Sequence, residues 1–347
     1  MRLLIVKLGA IGDIVHTLPA LSAMRRAFPR AEIGWVAEKR SVEILRDHPF
    51  IDRLFEIDTR RWRSGLKTRQ ILGEVGKELG GLRRAGYEIA IDFQGLIKSA
   101  AIAKASGASE IWGFSRKDLR EPASRILLSH TVKVPPQSHV IGKNLMLAGR
   151  ALGFEDDGRI EFEIATGPEH MAEASEIAAR IGSRFAILNP AGGWVTKLWH
   201  AEKFGQLADR IYHELGVASI IVTGPAETEL AARAIATSKT AKISAAAPSL
   251  KGFVELAKRA SVYVGGDTGP THLAVAAGAP VVGIFGPTEW WRNGSLDPLD
   301  ICVERTDIGC RVDCHRRQCS EWICMDIDVD AAMRAVSHRL ADRVVPV

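Results

Sequence analysis

Gly265-Gly-Asp-Thr-Gly-Pro-Thr-His-Leu-Ala-Val-Ala-Ala-Gly278 joins an apolar run to a run of small residues with helical character. This order predicts a strand, a tight turn and a helix that begins near Pro270, because proline needs no backbone N–H partner in the first turn. The free amides of such a helix start, with the hydroxyls of Thr268 and Thr271, favour an anion. A plain turn capped by Asp267 has the same composition, so both interpretations stay open at this point.

Around this segment, short apolar runs rich in Val and Ile alternate with longer runs of helical spacing. The first half predicts strands at 2–6, 32–37, 53–57, 87–93 and 110–113, and helices at 14–28, 70–84 and 139–152. The second half predicts strands at 185–189, 218–223, 242–244, 261–265 and 281–285, and helices at 201–215, 226–237, 250–259, 271–277 and 329–344. Alternation of this kind predicts parallel sheets wrapped by helices.

The chain has 347 residues, more than one core of ordinary size, which favours two domains. Turn residues and acids cluster at 153–158, where we place the linker. We therefore predict an α/β protein with two Rossmann-like, doubly wound parallel-sheet domains that face each other across a cleft, residues 1–160 and 161–327. Residues 328–347 are expected to form a helix that packs back on the first domain. In such sheets ligands bind at the carboxyl ends of the strands.

The composition is that of an ordinary soluble globular protein, with 46% hydrophobic and 25% charged residues. The net charge of +5 favours an acidic partner. Neither a signal-peptide core nor an apolar run of about 18 residues is present, which predicts a cytoplasmic protein that does not span a membrane. With only three tyrosines and no aromatic-rich binding pattern, we expect no nucleic-acid partner.

The first predicted strand leads into a glycine-containing loop, residues 7–13. Gly9 and Gly12 allow a tight turn, but the dinucleotide-binding pattern needs a further glycine. Asp13 stands at the helix start, where a bound phosphate would otherwise lie, so the loop presents an acid. Asp at this position is also a frequent helix cap. Glu38, after the second strand, has the position of a ribose-binding acid, which keeps an NAD-dependent oxidoreductase as an alternative.

Four segments, in the same order, resemble the ADP-heptose:lipopolysaccharide heptosyltransferases of glycosyltransferase family nine. They are Lys7–Pro19, Asp92–Ala100, Lys197–Trp199 and Gly266–Ala274, and the likeness continues beyond Thr288. Within the family, residues 92–99 and the segments Arg60–Trp62 and Arg120–Pro122 are more similar to the heptosyltransferase I type than to type II.

The resemblance implies a GT-B fold, with an acceptor-binding first domain and a nucleotide-sugar-binding second domain. It implies inverting transfer of L-glycero-D-manno-heptose from ADP-heptose to the Kdo of Kdo-lipid A, at the cytoplasmic face of the inner membrane. A heptosyltransferase II, or another ADP-sugar transferase, is the nearer alternative.

Inverting transfer needs a base for the acceptor hydroxyl and positive charge for the departing diphosphate. The family motifs assign the base to Asp13 and the cation to Lys197. The remaining donor-binding residues they imply are Thr196, Glu227, Asp267, Thr268, Gly269, Thr271 and His272. We expect no metal ion, because Lys197 and the helix amides supply positive charge and no Asp-x-Asp pair lies in a suitable loop. No cofactor is expected either.

Acceptor recognition is expected on basic loops of the first domain, which could grip Kdo carboxylates, lipid A phosphates and a negative membrane surface. The implied residues are Arg60, Arg61, Arg63, Gln94, Lys98 and Arg120. A charge run of this kind is also typical of an ordinary solvated face.

Four cysteines, Cys310, Cys314, Cys319 and Cys324, lie within fifteen positions and have His315 beside them. Four thiols can hold zinc, but the spacing is looser than Cys-x-x-Cys. The sequence favours packing or free thiols over a metal site.

Overall fold

The computed structural model describes residues 1–65, 69–310, 314 and 316–341, with the side chains of 63–72 outside that description. The chain forms two compact units, Met1–Ala165 and Thr166–Val347. The boundary therefore falls at residue 165, where the sequence predicted 160.

The first unit is one parallel sheet covered by helices. Its strands are β1 (Arg2–Val6), β2 (Glu32–Glu38), β3 (Arg53–Ile57), β4 (Ile89–Asp92), β5 (Glu110–Phe114) and β6 (His130–Val132). Its helices are α1 (Ile11–Val15), α2 (Leu18–Ala27), α3 (Thr59–Gly65), α4 (Arg69–Arg84), α5 (Ile97–Ala105) and α6 (Val140–Leu152). The strand order is β3-β2-β1-β4-β5-β6.

The second unit repeats this plan. Its strands are β7 (Phe185–Asn189), β8 (Ala218–Val222), β9 (Ile243–Ala246), β10 (Val262–Gly265), β11 (Val281–Phe285) and β12 (Ile301–Glu304). Its helices are α7 (Pro168–Ala179), α8 (Ala201–Leu215), α9 (Thr228–Thr237), α10 (Leu250–Ala257), α11 (Gly269–Ala276), α12 (Trp290–Asn293) and α13 (Val329–Ala341). The strand order is β12-β11-β10-β7-β8-β9, the same winding as in the first unit.

The predicted fold class is confirmed: both units are doubly wound α/β sheets with the Rossmann order of strands. The central strands were predictable because both faces of a parallel sheet are covered, and Leu3, Leu4, Ile5 and Val6 of β1 have no solvent exposure. The edge strands β6 and β12 were missed. Both are short, carry polar residues and are partly exposed, so they lack the continuous apolar run of a buried strand.

The predicted helix 14–28 is two helices, α1 and α2, that meet at Thr17. The Thr17 hydroxyl donates to the Asp13 carbonyl at 2.9 Å, and Pro19 has no N–H to continue the helical ladder. The break keeps α1 to a single turn and a half at the carboxyl end of β1.

The last helix was expected to pack on the first domain, and the structure places it on the second sheet. Helix α13 packs against α8 and against β10, β11 and β12. Its apolar residues Met333 and Val336 join the core of this unit, and Arg339 donates to Asp300 at 2.8 Å. The prediction rested only on the position of this helix after the second sheet, whereas burial of its apolar face determines where the helix packs.

No helix within the described ranges has the length and apolar character needed to cross a bilayer.

Candidate active site

Both units place their family motifs where the strand order reverses. In the first unit this point lies between β1 and β4, which are followed by the loop at 7–10 and the turn at 93–96. In the second it lies between β7 and β10, followed by the loop at 190–197 and the turn at 266–268. Ligands of doubly wound sheets bind at such points, so each unit offers one candidate half-site.

Asp13 lies in the first turn of α1 and keeps access to solvent. Its Oδ2 accepts the Ala10 N–H at 3.0 Å, while its side chain remains 33% exposed. The helix-cap interpretation is therefore correct for one carboxylate oxygen. The other oxygen, Oδ1, lies 3.8 Å from Nζ of Lys7, close enough for an ion pair. Asp13 is thus both held in place and accessible, as a base must be.

Lys7 is buried below this carboxylate. Its Nζ donates to the Phe93 carbonyl at 2.9 Å, which ties the loop after β1 to the turn after β4. Burial lowers the pKa of Lys7, and the charges of Asp13 and Asp92 oppose that shift. The position had no assigned role in the sequence, although Lys7 is the first residue of the quoted motif.

Gln94 holds the Asp13 loop from the β4 side. Its side-chain oxygen accepts the N–H groups of Leu8 at 3.0 Å and Gly9 at 3.3 Å. Gly9 has a φ of +142°, and a Cβ there would lie 2.8 Å from the Ser41 hydroxyl, so this loop requires glycine. Gln94 was expected to bind the acceptor, but its oxygen is committed to the loop.

Asp92 ends β4 and is completely buried. Its carboxylate accepts N–H groups from Gln94 and Gly95 and the hydroxyl of Ser99. Burial raises the pKa of Asp92 to about 6, although these hydrogen bonds and the Lys7 charge act in the opposite direction. The residue shapes the turn that carries Gln94.

Glu38, the candidate ribose-binding acid, is enclosed. It accepts from Lys98 Nζ at 3.0 Å and from the Thr59 N–H at 3.2 Å, and it is only 4% exposed. A carboxylate with these partners and so little exposure is not available to the ribose of a dinucleotide. Glu38 was the residue that kept the oxidoreductase alternative open, so that alternative loses its support. Lys98 was expected to bind the acceptor, and in the structure its ammonium group donates to Glu38 and Thr59.

Of the predicted acceptor-binding arginines, Arg60, Arg61 and Arg120 are exposed. The Arg61 guanidinium pairs with Glu74 at 2.8 Å, so part of its charge is neutralised on the surface. Arg120 lies near enough to Lys7 for its positive charge to contribute to the lowered pKa of the Lys7 ammonium group. The side chain of Arg63 lies outside the described residues.

In the second unit, the turn after β10 lies directly on the loop after β7. A Cβ on Gly266 would lie 3.2 Å from the Lys197 carbonyl, so a larger residue here would require the two loops to move apart slightly. Gly265 pairs with Asn189 in the sheet, which brings the two strand ends side by side. The two motifs of this unit, far apart in sequence, therefore meet.

The central contact of this half-site is a buried ion pair between Lys197 and Asp267. Lys197 Nζ donates to the Asp267 carboxylate and, at 3.2 Å, to its carbonyl. The same ammonium lies 3.9 Å from the ring centroid of Trp194, a cation–π distance. Lys197 was expected to be the cation that neutralises the departing diphosphate, with a solvated surface lysine as the alternative. The structure places two of its three N–H donors on Asp267.

Asp267 gathers further donors. His272 Nε2 donates to its Oδ1 at 3.2 Å, and the Asn293 amide donates to the same oxygen. Burial by itself raises the pKa of Asp267, but the His272 hydrogen bond and the Lys197 charge outweigh burial and hold the pKa well below its usual value. His272 and Asp267 therefore form the support of Lys197.

Thr268 is the N-cap residue of α11, and Gly269 is the first residue of that helix. The Thr271 hydroxyl, predicted to bind phosphate, instead donates to the Gly266 carbonyl and is 1% exposed. Tyr263 lies 3.0 Å from the same Thr271 oxygen. Thr271 thus stabilises the turn after β10 through a hydrogen bond to its backbone.

Two further predicted donor-binding residues have internal partners. The Thr196 hydroxyl donates to the Arg316 carbonyl, and Thr196 is 2% exposed. The hydroxyl that was expected to contact phosphate therefore links the loop after β7 to the segment that contains Arg316. Glu227 precedes α9, is half-buried and accepts the Gly224 N–H at 3.1 Å, which leaves its other carboxylate oxygen for a ligand.

Three residues of this half-site had no assigned role in the sequence: Trp194, Asn189 and Asn293. The Trp194 Nε1 and Asn189 Oδ1 atoms are buried, and the described residues supply neither with a hydrogen-bond partner. Trp194 lies three positions before Lys197, just outside the Lys197–Trp199 segment. A polar residue ending a buried strand was the available signal for Asn189. Asn293 follows Asp267 by 26 positions, and no local pattern links them.

Comparison with known proteins agrees with these motifs. The model of glycosyltransferase family 9 (heptosyltransferase) matches residues 76–323. Lipopolysaccharide heptosyltransferase 1 of Pseudomonas aeruginosa is 31% identical over 316 residues, which cover 88% of this chain and 87% of that protein. Lipopolysaccharide heptosyltransferase 1 of Escherichia coli K12 is 28% identical over 295 residues, 83% of this chain and 89% of that protein.

Solved structures share the fold. The E. coli heptosyltransferase WaaC with ADP has a TM-score of 0.79 at 24% identity and covers 98% of this chain and 100% of that one. The E. coli ADP-heptose lps heptosyltransferase II has the same TM-score at 17% identity, over 99% of this chain and 100% of that one. The predicted GT-B fold is confirmed. With two Rossmann-type units, the family motifs at both switch points and a family match over most of its length, the chain belongs to glycosyltransferase family 9, the heptosyltransferases.

Proposed function

We propose that this glycosyltransferase transfers L-glycero-D-manno-heptose from ADP-heptose to the Kdo of Kdo-lipid A, with inversion at the anomeric carbon. The observation that carries the proposal is the half-site of the second unit, where Lys197 lies beside the start of α11 at the switch point of the sheet. A buried cation and free helix amides form an anion site suited to a diphosphate. The names of the relatives, heptosyltransferase 1 in several species, support heptose as the sugar.

In this proposal the second unit holds the leaving group. The third N–H of Lys197 and the amides of Thr268 and Gly269 bind the diphosphate, and Glu227 accepts from the ADP ribose. As the bond from the sugar to the phosphate oxygen breaks, its electron pair stays on the ADP. These donors stabilise that charge more in the transition state than in the ground state.

The first unit supplies the base. Asp13 removes the proton from the acceptor hydroxyl while the acceptor oxygen forms its bond to the anomeric carbon, on the face opposite the departing ADP. The Asp13 oxygen that does not accept from Ala10 takes the proton. The hydrogen bond from the Ala10 N–H to Oδ2 keeps the carboxylate oriented. The exposed arginines Arg60, Arg61 and Arg120 bind the carboxylates and phosphates of the acceptor.

We propose that the acceptor is reached at the cytoplasmic face of the inner membrane, with the chain bound peripherally through this basic surface. The net charge of +5 and the exposed arginines of the first unit support attraction to an anionic leaflet. Co-sedimentation with vesicles that contain anionic lipid, repeated at raised salt, tests this part. Binding that does not respond to anionic lipid or to salt argues against it.

Turnover of ADP-heptose tests the reaction, with Kdo-lipid A offered bare and with a first heptose already attached. We expect ADP release and product only with the bare acceptor. Preference for the heptosylated acceptor would assign the chain to the second addition instead. If the chain turns over another ADP-sugar and not ADP-heptose, the proposed mechanism stands and the donor sugar is a different one. A parallel NAD titration by calorimetry serves as the negative control.

A further inference from the structure

Four cysteines of the second unit line one small cavity that the proposed transfer reaction does not use. Cys310, Cys314, Cys319 and Cys324 share it with Thr196 and Trp322, among others. The cavity has a volume of about 20 Å³, enough to hold one particle of the size of a water molecule. The fifth cysteine, Cys302, lies on β12 and does not line the cavity.

Four thiol groups around a space for one particle match the donor set of a tetrahedral zinc or ferrous ion. We propose that Cys310, Cys314, Cys319 and Cys324 bind one divalent transition-metal ion as thiolates, with Zn²⁺ the ion that this donor set fits best. On binding, each thiol loses its proton to solvent and forms one sulfur–metal bond, with no change of oxidation state.

The site is open in the structure. Within the described part of the chain, no three ligand-type side chains are already gathered in metal-binding geometry. Closure therefore requires the thiols to turn towards the cavity as the ion enters. Cys324 is buried and supplies the fixed side of the site, while Cys310 and Cys319 are exposed and have room to rotate.

The surroundings suit a tetrathiolate centre, which carries two net negative charges around a divalent ion. Arg316 lines the cavity, and its positive charge offsets part of that excess. The Trp322 N–H donates to the sulfur of Cys319 at 3.3 Å, the kind of bond that holds a thiolate in orientation around a metal.

The same segment supports the loop that carries Lys197. The Trp322 indole N–H donates to the Thr196 carbonyl at 2.9 Å, and the Thr196 hydroxyl donates to the Arg316 carbonyl. An ion that fixes the cysteine segment would therefore fix the backbone next to Lys197. This consequence rests on the proposed role of Lys197 in donor binding, whereas the metal site does not.

The test is elemental analysis of the full chain purified without a metal-affinity step. We expect one zinc or iron ion per chain, lost in Cys314→Ser and in Cys319→Ser and retained in the matched control Cys302→Ser. Metal content that is negligible, or equal in all four proteins, overturns the proposal. A disulfide among the four cysteines in the native protein overturns it as well.

A second measurement does not depend on the folding of variants. The unsubstituted chain is stripped with a chelator and titrated with Co²⁺, and we expect saturation at one equivalent with the absorption of a tetrahedral cobalt–thiolate centre. A titration without thiolate absorption contradicts the proposal. ADP affinity measured before and after stripping then addresses the Lys197 loop alone, so failure of the transfer mechanism and failure of the metal site give different results.

Discussion

Nζ of Lys7 lies 3.8 Å from Oδ1 of Asp13, and the lysine is buried while the aspartate is open to solvent. The same Lys7 ammonium group donates to the Phe93 carbonyl at 2.9 Å, so the group that approaches Asp13 is itself held by the turn after β4. The position of the carboxylate proposed as the base therefore depends on contacts from two strand ends of the first sheet.

Asp13→Asn should abolish most transfer without weakening ADP binding. The amide oxygen of asparagine can still accept the Ala10 N–H, so the loop keeps its shape while the base is lost. We expect kcat to fall by about 10²- to 10⁴-fold, the contribution typical of a general base. Steady-state kinetics with ADP calorimetry measure this. Asp156→Asn, whose carboxylate also accepts a local N–H, is the control, and near-normal turnover in Asp13→Asn would remove Asp13 from the mechanism.

Lys7→Met should lower both stability and turnover. It removes the hydrogen bond from Lys7 Nζ to the Phe93 carbonyl, which ties the Asp13 loop to the turn after β4. Loss of a bond from a charged donor costs about 1.5–3 kcal/mol of unfolding free energy. Denaturant unfolding and kcat of Lys7→Met, with Lys104→Met on the exposed side of α5 as the control, measure the two effects. Equal stability and turnover in the two variants would mean that this bond does not hold the loop.

Lys197→Met should destabilise the protein as well as inactivate it. It leaves the Asp267 carboxylate buried without its cation, and breaking a buried pair from one side costs about 3–5 kcal/mol. The double variant Lys197→Met/Asp267→Asn should recover much of the unfolding free energy and none of the activity. Denaturant unfolding and turnover separate the two effects. Lys203→Met, which breaks a partly exposed pair with Asp326, should cost less than about 1 kcal/mol.

If Lys197→Met is inactive but as stable as the unsubstituted chain, the buried pair contributes less to folding than its geometry indicates. If the double variant regains transfer, neutralisation of the diphosphate must come from the α11 amides instead of Lys197.

Asp92→Asn should change how stability depends on pH. The folded pKa of Asp92, about 6, lies above its ordinary value of 3.8, so the folded state binds the proton more tightly than the unfolded state. Its contribution to the unfolding free energy is therefore present at low pH and lost as pH rises through about 6. Between pH 5 and pH 7 the unsubstituted chain should lose about 1 kcal/mol relative to Asp92→Asn.

Asparagine is compatible with this site, because its oxygen can accept the Gln94 and Gly95 N–H groups and its amide can donate to Ser99. Urea unfolding of both proteins at the two pH values measures the difference. Parallel stability curves would show that Asp92 does not titrate in this range.

The fold and part of the site were predictable because their signals are local. The apolar run of β1 and the glycine turn before α11 each lie within a few consecutive residues. The partners that determine side-chain roles are remote in sequence: Asn293 reaches Asp267, and the Arg316 carbonyl receives the Thr196 hydroxyl. Whether a hydroxyl faces a ligand or a neighbouring loop depends on such pairings, which spacing does not encode. For this reason Thr196 and Thr271 were assigned to the donor, and the structure turns both inward.

Each sheet is built from one uninterrupted stretch of chain, β1 to β6 before residue 166 and β7 to β12 after it. Synthesis on the ribosome proceeds from the amino terminus, and domains generally fold as units during that process. Among the described residues, the first sheet takes no strand from the second unit, so its hydrophobic core can close while the second unit is still being translated. A nascent chain halted near residue 200 should therefore already resist proteolysis over its first unit.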